Sequence, residues 1–452
     1  MQSKSNIIND VEITDLEMTS RAGLNPVVKF LERSGVLDEL TKTFSTLEKT
    51  SKGLSAVEFF KQVFCFFFSG ENLRISEFDI LKNDIGYAKI IETSEEKMAS
   101  TDAITRMFQK FNLGEVLKFR KIFHTIFEST LLNFSGDYII LTLDSMVLDN
   151  NYSKKKQRNS PTYKKVLGYQ PLHLNFNGMI VDMTFRGGST HGNCENTAKN
   201  MIVKAIQTIR KIKGESCQII FNMDSGFMDK KLFDAIEENG ASFICSGKKY
   251  KTIKEIVESS SDSEWSKYKG KRNDYRYLEF QSKCDSWDKE YRTFYTALDS
   301  EENGQKLINF EDSENVIYTN IEKNSKKFAA KISSSKNIIS MYHGRGADEL
   351  PHRGLKEFGT EIMPFKNFYA NHAFYALMVI SFNMFELYKK RIIQNKEYIF
   401  SYANRIRRKF IDIAGYFSNT GHRIILKINE HVADASNFLA IWNRSKTTLF
   451  KL

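Results

Sequence analysis

Cysteine is scarce in this 452-residue chain and is not placed for cross-linking. Its five cysteines, Cys65, Cys194, Cys217, Cys245 and Cys284, are scattered, odd in number and contain no CxxC pair. That argues against a disulfide framework and against a zinc site, and for a reducing compartment. The opening residues MQSKSNIINDVEITD are polar and mixed in charge, so no secretory leader is expected. Long apolar runs are also missing. Residues 57–68 are strongly apolar but too few to span a bilayer and include Lys61, while the apolar stretch 373–387 is interrupted by Asn383 and Glu386. These features predict a soluble, cytoplasmic protein that does not engage a membrane. The glycine-containing loop GGSTHGNCEN has neither the Lys-Ser/Thr of a P-loop nor the spacing of GxGxxG, which excludes a nucleotide cofactor there. His191 and Cys194 in that loop have no partners at ligand spacing.

A hydrophobic content of 41% and a charged content of 27% are those of a globular chain, long enough for two or three domains. Lys and Arg number 66 against 55 Asp and Glu, a net charge of +11 that favours polyanionic partners, nucleic acid first. Residues 1–135 read as a helical region. Asn25-Pro26 predicts a helix start, Ser55-x-x-Glu58 a capping box, and Gly70 a C-cap. Further helices are predicted from Ser100 and over 116–132. Arg106 and Lys110 lie on a polar helix face, so this region is a candidate DNA-binding region.

Residues 136–250 change character. YIILTLDSMVL reads as a strand with Asp144 embedded in it, and an acid in an apolar strand is costly unless it is paired or holds a metal. A basic loop follows, with Lys154, Lys155, Lys156, Arg158, Lys164 and Lys165. Beside an acidic site it would neutralise a DNA backbone. GYQPLHLNF and GMIVDMTFR predict a hairpin around Asn177-Gly178, and 196–213 an amphipathic helix. CQIIFNMDSGF predicts a strand ending at Asp224 before a tight turn, where α/β folds place functional groups. Helix and strand then follow, an order that predicts an RNase H-like α/β domain: a mixed sheet flanked by helices. Residues 251–337 read as a β-rich insertion containing YRYLEFQ, YRTFYTALD, KLINF and NVIYTN, together with Trp265 and Trp287.

The stretch MYHGRGADELPHRGLKEF holds Tyr342, Arg345, Glu349 and Lys356 in the spacing Y-x2-R-x3-E-x6-K. On one helix, started near Gly346 so that Pro351 falls in or just past the first turn, Arg345, Glu349 and Lys356 would share a stripe. A carboxylate flanked by cations suits metal and phosphate binding. This spacing, with LTLDS, GYQPL and NMDSGF upstream, resembles the YREK group of DDE transposases from bacterial insertion sequences. The resemblance covers about residues 136–390, with 338–392 as the second part of the catalytic core and 393–452 as a basic C-terminal region. It implies Asp144, Asp224 and Glu349 as catalytic acids holding two Mg²⁺ ions (Mn²⁺ as substitute), with Asp144 bridging them. Arg345 and Lys356 would hold phosphates, Tyr342 would pack or hydrogen-bond near the scissile end, and one insertion-domain aromatic, Trp287 or Trp265, would stack on a flipped base. The implied activity is cut-and-paste DNA transposition in the bacterial nucleoid, on transposon ends and target DNA, by a homodimer in the DNA complex. An RNase H-like nuclease without strand transfer, and a domesticated non-catalytic DNA-binding protein, are the alternatives.

Overall fold

The structure, a computed structural model, describes residues 8, 10–48, 53–153, 155–190, 192–269, 274–299, 301–302, 305–306, 314–323, 330–344, 349–430 and 435–448. The chain forms two compact units, Met1–Lys110 with Leu387–Lys451, and Phe111–Glu386. The helical stretch expected over 1–135 is therefore shared between them, and the C-terminal basic region belongs to the same unit as the N-terminal helices.

In the first unit the helix Ala56–Ser69 is buried on nearly every side, as its six phenylalanines demand. Ser55 caps it by accepting from the Glu58 N–H, and Gly70 ends it at φ +63°, a left-handed conformation that glycine adopts without strain. The guanidinium of Arg407, only 4% exposed, donates to the carbonyls of Phe67 (2.7 Å) and Phe68 (3.0 Å) at the same helix end. The expected start at Asn25 is displaced. The helix Leu24–Ser34 has Gly23 as its N-cap, and the Asn25 amide bonds instead to Ile90 O and to the Trp442 indole. The strands Gly415–Thr420 and Arg423–Ile428 pair as a hairpin.

The second unit is built on one mixed sheet. Helix α1 (Leu113–Leu132) leads into β1 (Tyr138–Ser145), and the hairpin β2 (Leu172–Phe176) and β3 (Met179–Thr184) follows. Asn177 and Gly178 turn that hairpin, both at positive φ as a type I′ turn requires. Then come α2 (Thr197–Lys213), β4 (Gln218–Met223), α3 (Lys230–Glu238) and β5 (Ser242–Gly247). Strands β6 (Ser266–Lys269), β7 (Asp274–Ser282), β8 (Tyr291–Leu298) and β9 (Asn315–Thr319) come from the insertion. Helices α4 (Ser335–Gly344), α5 (Glu349–Phe358) and α6 (Phe368–Tyr388) close the unit.

Among the described residues the sheet order is β6-β7-β8-β9-β5-β4-β1-β2-β3. Within it β3-β2-β1-β4-β5, with β1, β4 and β5 parallel and the hairpin antiparallel, is the expected RNase H-like order. The central strands β4 and β5 are nearly continuous runs of buried Ile, Phe, Met and Cys, as parallel strands covered on both faces must be. The insertion strands do not stand apart. β9 pairs antiparallel with β5, Val316 opposite Gly247, so the insertion lengthens the core sheet. KLINF falls outside the described residues except for Lys306.

Asn383, which interrupts the apolar run of α6, is fully buried. Its amide accepts from Ile180 N–H (3.0 Å) and donates to Ile180 C=O (2.7 Å), acting as a short extra strand beside β3. Replacing it by Leu leaves both backbone groups unpaired and is expected to cost about 2 kcal/mol. A urea unfolding curve of Asn383→Leu checks this.

Candidate active site

Asp144 and Asp224 reach the site from adjacent parallel strands. Leu143 of β1 lies opposite Met223 of β4, so the two acids are the next residues at the carboxyl ends of neighbouring strands, whose axes run about 4.8 Å apart. Both are half-buried. Asp224 caps the short turn Ser225–Phe227, its Oδ1 accepting from Gly226 N–H at 2.9 Å, which fixes its direction. Asp144 Oδ1 accepts from the Ser145 N–H at 2.7 Å. The Tyr163 phenol is pushed up in pKa by partial burial and then by the negative charges of Asp144 and Asp224. Tyr163 therefore lies near both carboxylates, whose hard oxygens are donors of the kind a divalent cation takes. Among the described residues no group of three or more His, Cys, Asp or Glu is placed to hold a metal ion. Glu349 opens α5, and its side chain lies outside the described residues, as do Arg345 and Lys154.

Of the stripe expected for the YREK residues, Glu349 and Lys356 share one helix, and Arg345 lies outside the described residues. Tyr342 sits in α4, while Glu349 and Lys356 sit in α5. Pro351 is the third residue of α5, a first-turn position where its missing N–H costs nothing. Tyr342 is 8% exposed in the cluster of Ile220, Ile244, Tyr277, Phe294 and Ile338, with its hydroxyl 3.1 Å from Ser246 Oγ. It packs α4 onto the sheet. Lys356 Nζ is 2.8 Å from Glu361 Oε2.

Trp287 is corrected outright. It is 5% exposed and meets Phe233, Tyr291 and Tyr318 edge-on, a core position that leaves no face for a base. An exposed aromatic near the acids is Tyr163, in the turn carrying the exposed Lys164 and Lys165. Of the basic loop, Lys155 and Arg158 are also exposed, and Arg158 lies over the Phe368 ring at 4.5 Å. Lys156 bends inward to the Met363 carbonyl, and burial lowers its pKa. Asn150 ties the start of this loop to the segment after α5, bonding Glu361 O (2.8 Å) and Met363 N (2.9 Å).

Sequence reasoning missed two histidines. His352 of α5 places Nδ1 3.5 Å from Asp144 Oδ2, and its Nε2 is 2.9 Å from His173 Nδ1. His173 Nε2 is in turn 2.9 Å from the Tyr375 hydroxyl. Burial holds His173 well below the usual histidine range and lowers His352 to about 4, so both rings are neutral at pH 7. The only hint in the sequence is a histidine set in the apolar run PLHLNF.

A mixed sheet of this order, with Asp144 and Asp224 at the ends of neighbouring parallel strands, is the RNase H-like arrangement. The chain belongs to the family of transposases with a DDE domain, group 1, which matches residues 8–448. No curated protein matches the chain. Among solved structures it is similar to the piggyBac transposase synaptic complex with hairpin DNA seen by cryo-EM. The identity is 11% and the TM-score 0.43, over 85% of this chain and 78% of that one. No described helix is long and apolar enough to cross a membrane.

Proposed function

We propose that the chain is a cut-and-paste DNA transposase of the YREK insertion-sequence group, acting as a homodimer on paired transposon ends in the bacterial nucleoid. The observation that carries the reading is the placement of Asp144 and Asp224 at adjacent strand ends within a chain matched along nearly its whole length by a DDE family. Asp144, Asp224 and Glu349 would hold divalent metal, Mg²⁺ or Mn²⁺ and two ions in the proposed arrangement. Bound there, the ions would activate the attacking oxygen and stabilise the leaving one. The Asp224 cap and the Ser145 contact hold the two carboxylates oriented before substrate arrives, so little reorganisation remains to be done at the moment of reaction. Lys155, Arg158, Lys164 and Lys165, exposed on the loop beside the acids, neutralise the DNA backbone, with Arg345, Lys356 and Lys154 as further phosphate contacts. The helical region 1–135 contributes end binding, and residues 251–337 and 393–452 support the core.

Water attacks the phosphodiester at the transposon end, leaving a 3′-hydroxyl and a 5′-phosphate. That hydroxyl then attacks a target phosphodiester, releasing a target 3′-hydroxyl. The test is incubation of the full chain with Mn²⁺, a duplex bearing the DNA that flanks its own coding region, and a supercoiled target plasmid. Joined products are expected. Cleaved ends without joining would replace this reading with a nuclease, and binding without cleavage would replace it with a DNA-binding protein.

A further inference from the structure

We infer that His352 is a positioning residue for the first catalytic acid, clamped from behind by His173 and Tyr375. In the antiparallel pair of β1 and β2, Asp144 lies directly opposite His173, so the two side chains stand side by side on one face of the sheet. His352 descends from α5 onto that pair and meets both members, Asp144 through Nδ1 and His173 through Nε2. A ring engaged at both nitrogens has a fixed orientation. Tyr375 of α6 completes the row: its ring lies nearly parallel to His173 (7° between planes, centroids 5.8 Å apart), and its hydroxyl reaches the remaining nitrogen. His173 and Tyr375 are fully buried.

The proton order follows from the end of the row. An ionised carboxylate only accepts, so His352 directs its Nδ1–H at Asp144 and accepts at Nε2 from His173 Nδ1–H. His173 then accepts at Nε2 from the Tyr375 hydroxyl. Every donor points toward Asp144. At 3.5 Å the first link is long for a hydrogen bond, and links of this kind tighten when a site is loaded. Glu349 is one turn before His352 in the same helix. The clamp therefore sets both the direction of Asp144 and the seat of the helix that supplies the third acid. Second-row contacts of this sort orient metal-holding carboxylates.

The inference rests on Asp144 being a metal-holding acid, and the experiment separates the two. Mn²⁺ binding to the full chain without DNA is followed by electron paramagnetic resonance, with DNA cleavage measured in parallel across Mn²⁺ concentrations. In His352→Gln the amide nitrogen falls near the former Nε2 and loses Asp144. In His352→Asn it falls near Nδ1 and keeps Asp144. The Gln variant is expected to weaken Mn²⁺ binding and to raise the Mn²⁺ needed for half-maximal cleavage about tenfold. The Asn variant should stay close to wild type, and Tyr375→Phe should show a smaller loss than Gln. DNA retention in a gel shift should be equal in all. Equal behaviour of Asn and Gln, whether both intact or both impaired, overturns the clamp, because a packing role does not distinguish them. Asp144→Asn is the control: Mn²⁺ binding unchanged in that variant overturns the metal-site reading itself, whatever the histidine variants do.

Discussion

Asp224→Asn is expected to abolish cleavage of end-bearing DNA while leaving DNA binding and the folded state unchanged. The substitution keeps the size of the side chain, and an amide oxygen can still accept from Gly226 N–H, so the turn Ser225–Phe227 persists. What disappears is one negative charge beside Asp144. A loss of about 4 kcal/mol of transition-state stabilisation, the scale at which bound metals act, is on the order of a thousandfold in rate. Single-turnover cleavage assays with saturating protein read this directly, and gel shift checks binding. Cleavage at the wild-type rate would sink the assignment of Asp224. Lost binding would point to Asp224 as a structural cap only.

Arg407→Met is expected to have the largest effect on stability. Its guanidinium caps the helix Ala56–Ser69 with two charge-assisted bonds to Phe67 and Phe68 carbonyls. Methionine would fill some of the space but satisfy neither carbonyl, and the cost is about 4 kcal/mol. For a unit of this size that lowers the melting midpoint by roughly 10 °C. Gly70→Ala should destabilise the same unit, since its new methyl would meet that guanidinium and its φ of +63° disfavours a side chain. Because the two residues touch, the double variant should lose less than the two single losses combined. Melting curves of the three variants by circular dichroism give the answer. If Arg407→Met melts with the wild type, the contact is dispensable.

Arg407 also shows where sequence reading runs out. It belongs to a cluster of four basic residues, Arg405, Arg407, Arg408 and Lys409, that the sequence alone offers equally as DNA contacts or as solvated charges. The fold buries Arg407 against a helix more than 300 residues away and leaves Arg408 exposed. Local signals were legible: the Asn177-Gly178 turn, the Ser55 cap, and the strands that present Asp144 and Asp224 each follow from short-range chemistry. Asp144 announced itself because charge inside an apolar strand demands an explanation. His173 did not, since a histidine in a strand is ordinary until the register sets it against Asp144. His352 needed the seating of α5 on top of that. Trp287 carried the right chemistry for stacking on a base, but its exposure is decided by Phe233, Tyr291 and Tyr318, none of them predictable as neighbours from spacing. Of the YREK residues, Glu349 and Lys356 share α5 while Tyr342 belongs to α4, a division that spacing alone does not reveal.

The pairing of β9 with β5 bears on how freely this chain can be re-engineered. An appended module can be removed or exchanged at its two junctions. A stretch whose strand pairs with Ile244, Cys245, Ser246 and Gly247 cannot. Deleting residues 251–337 would turn β5 from an interior strand into an open, apolar edge, the kind of surface on which chains stack into aggregates. Shortened derivatives of this protein should therefore keep β9 and the strands beyond it, or replace them with another strand cut to the same register.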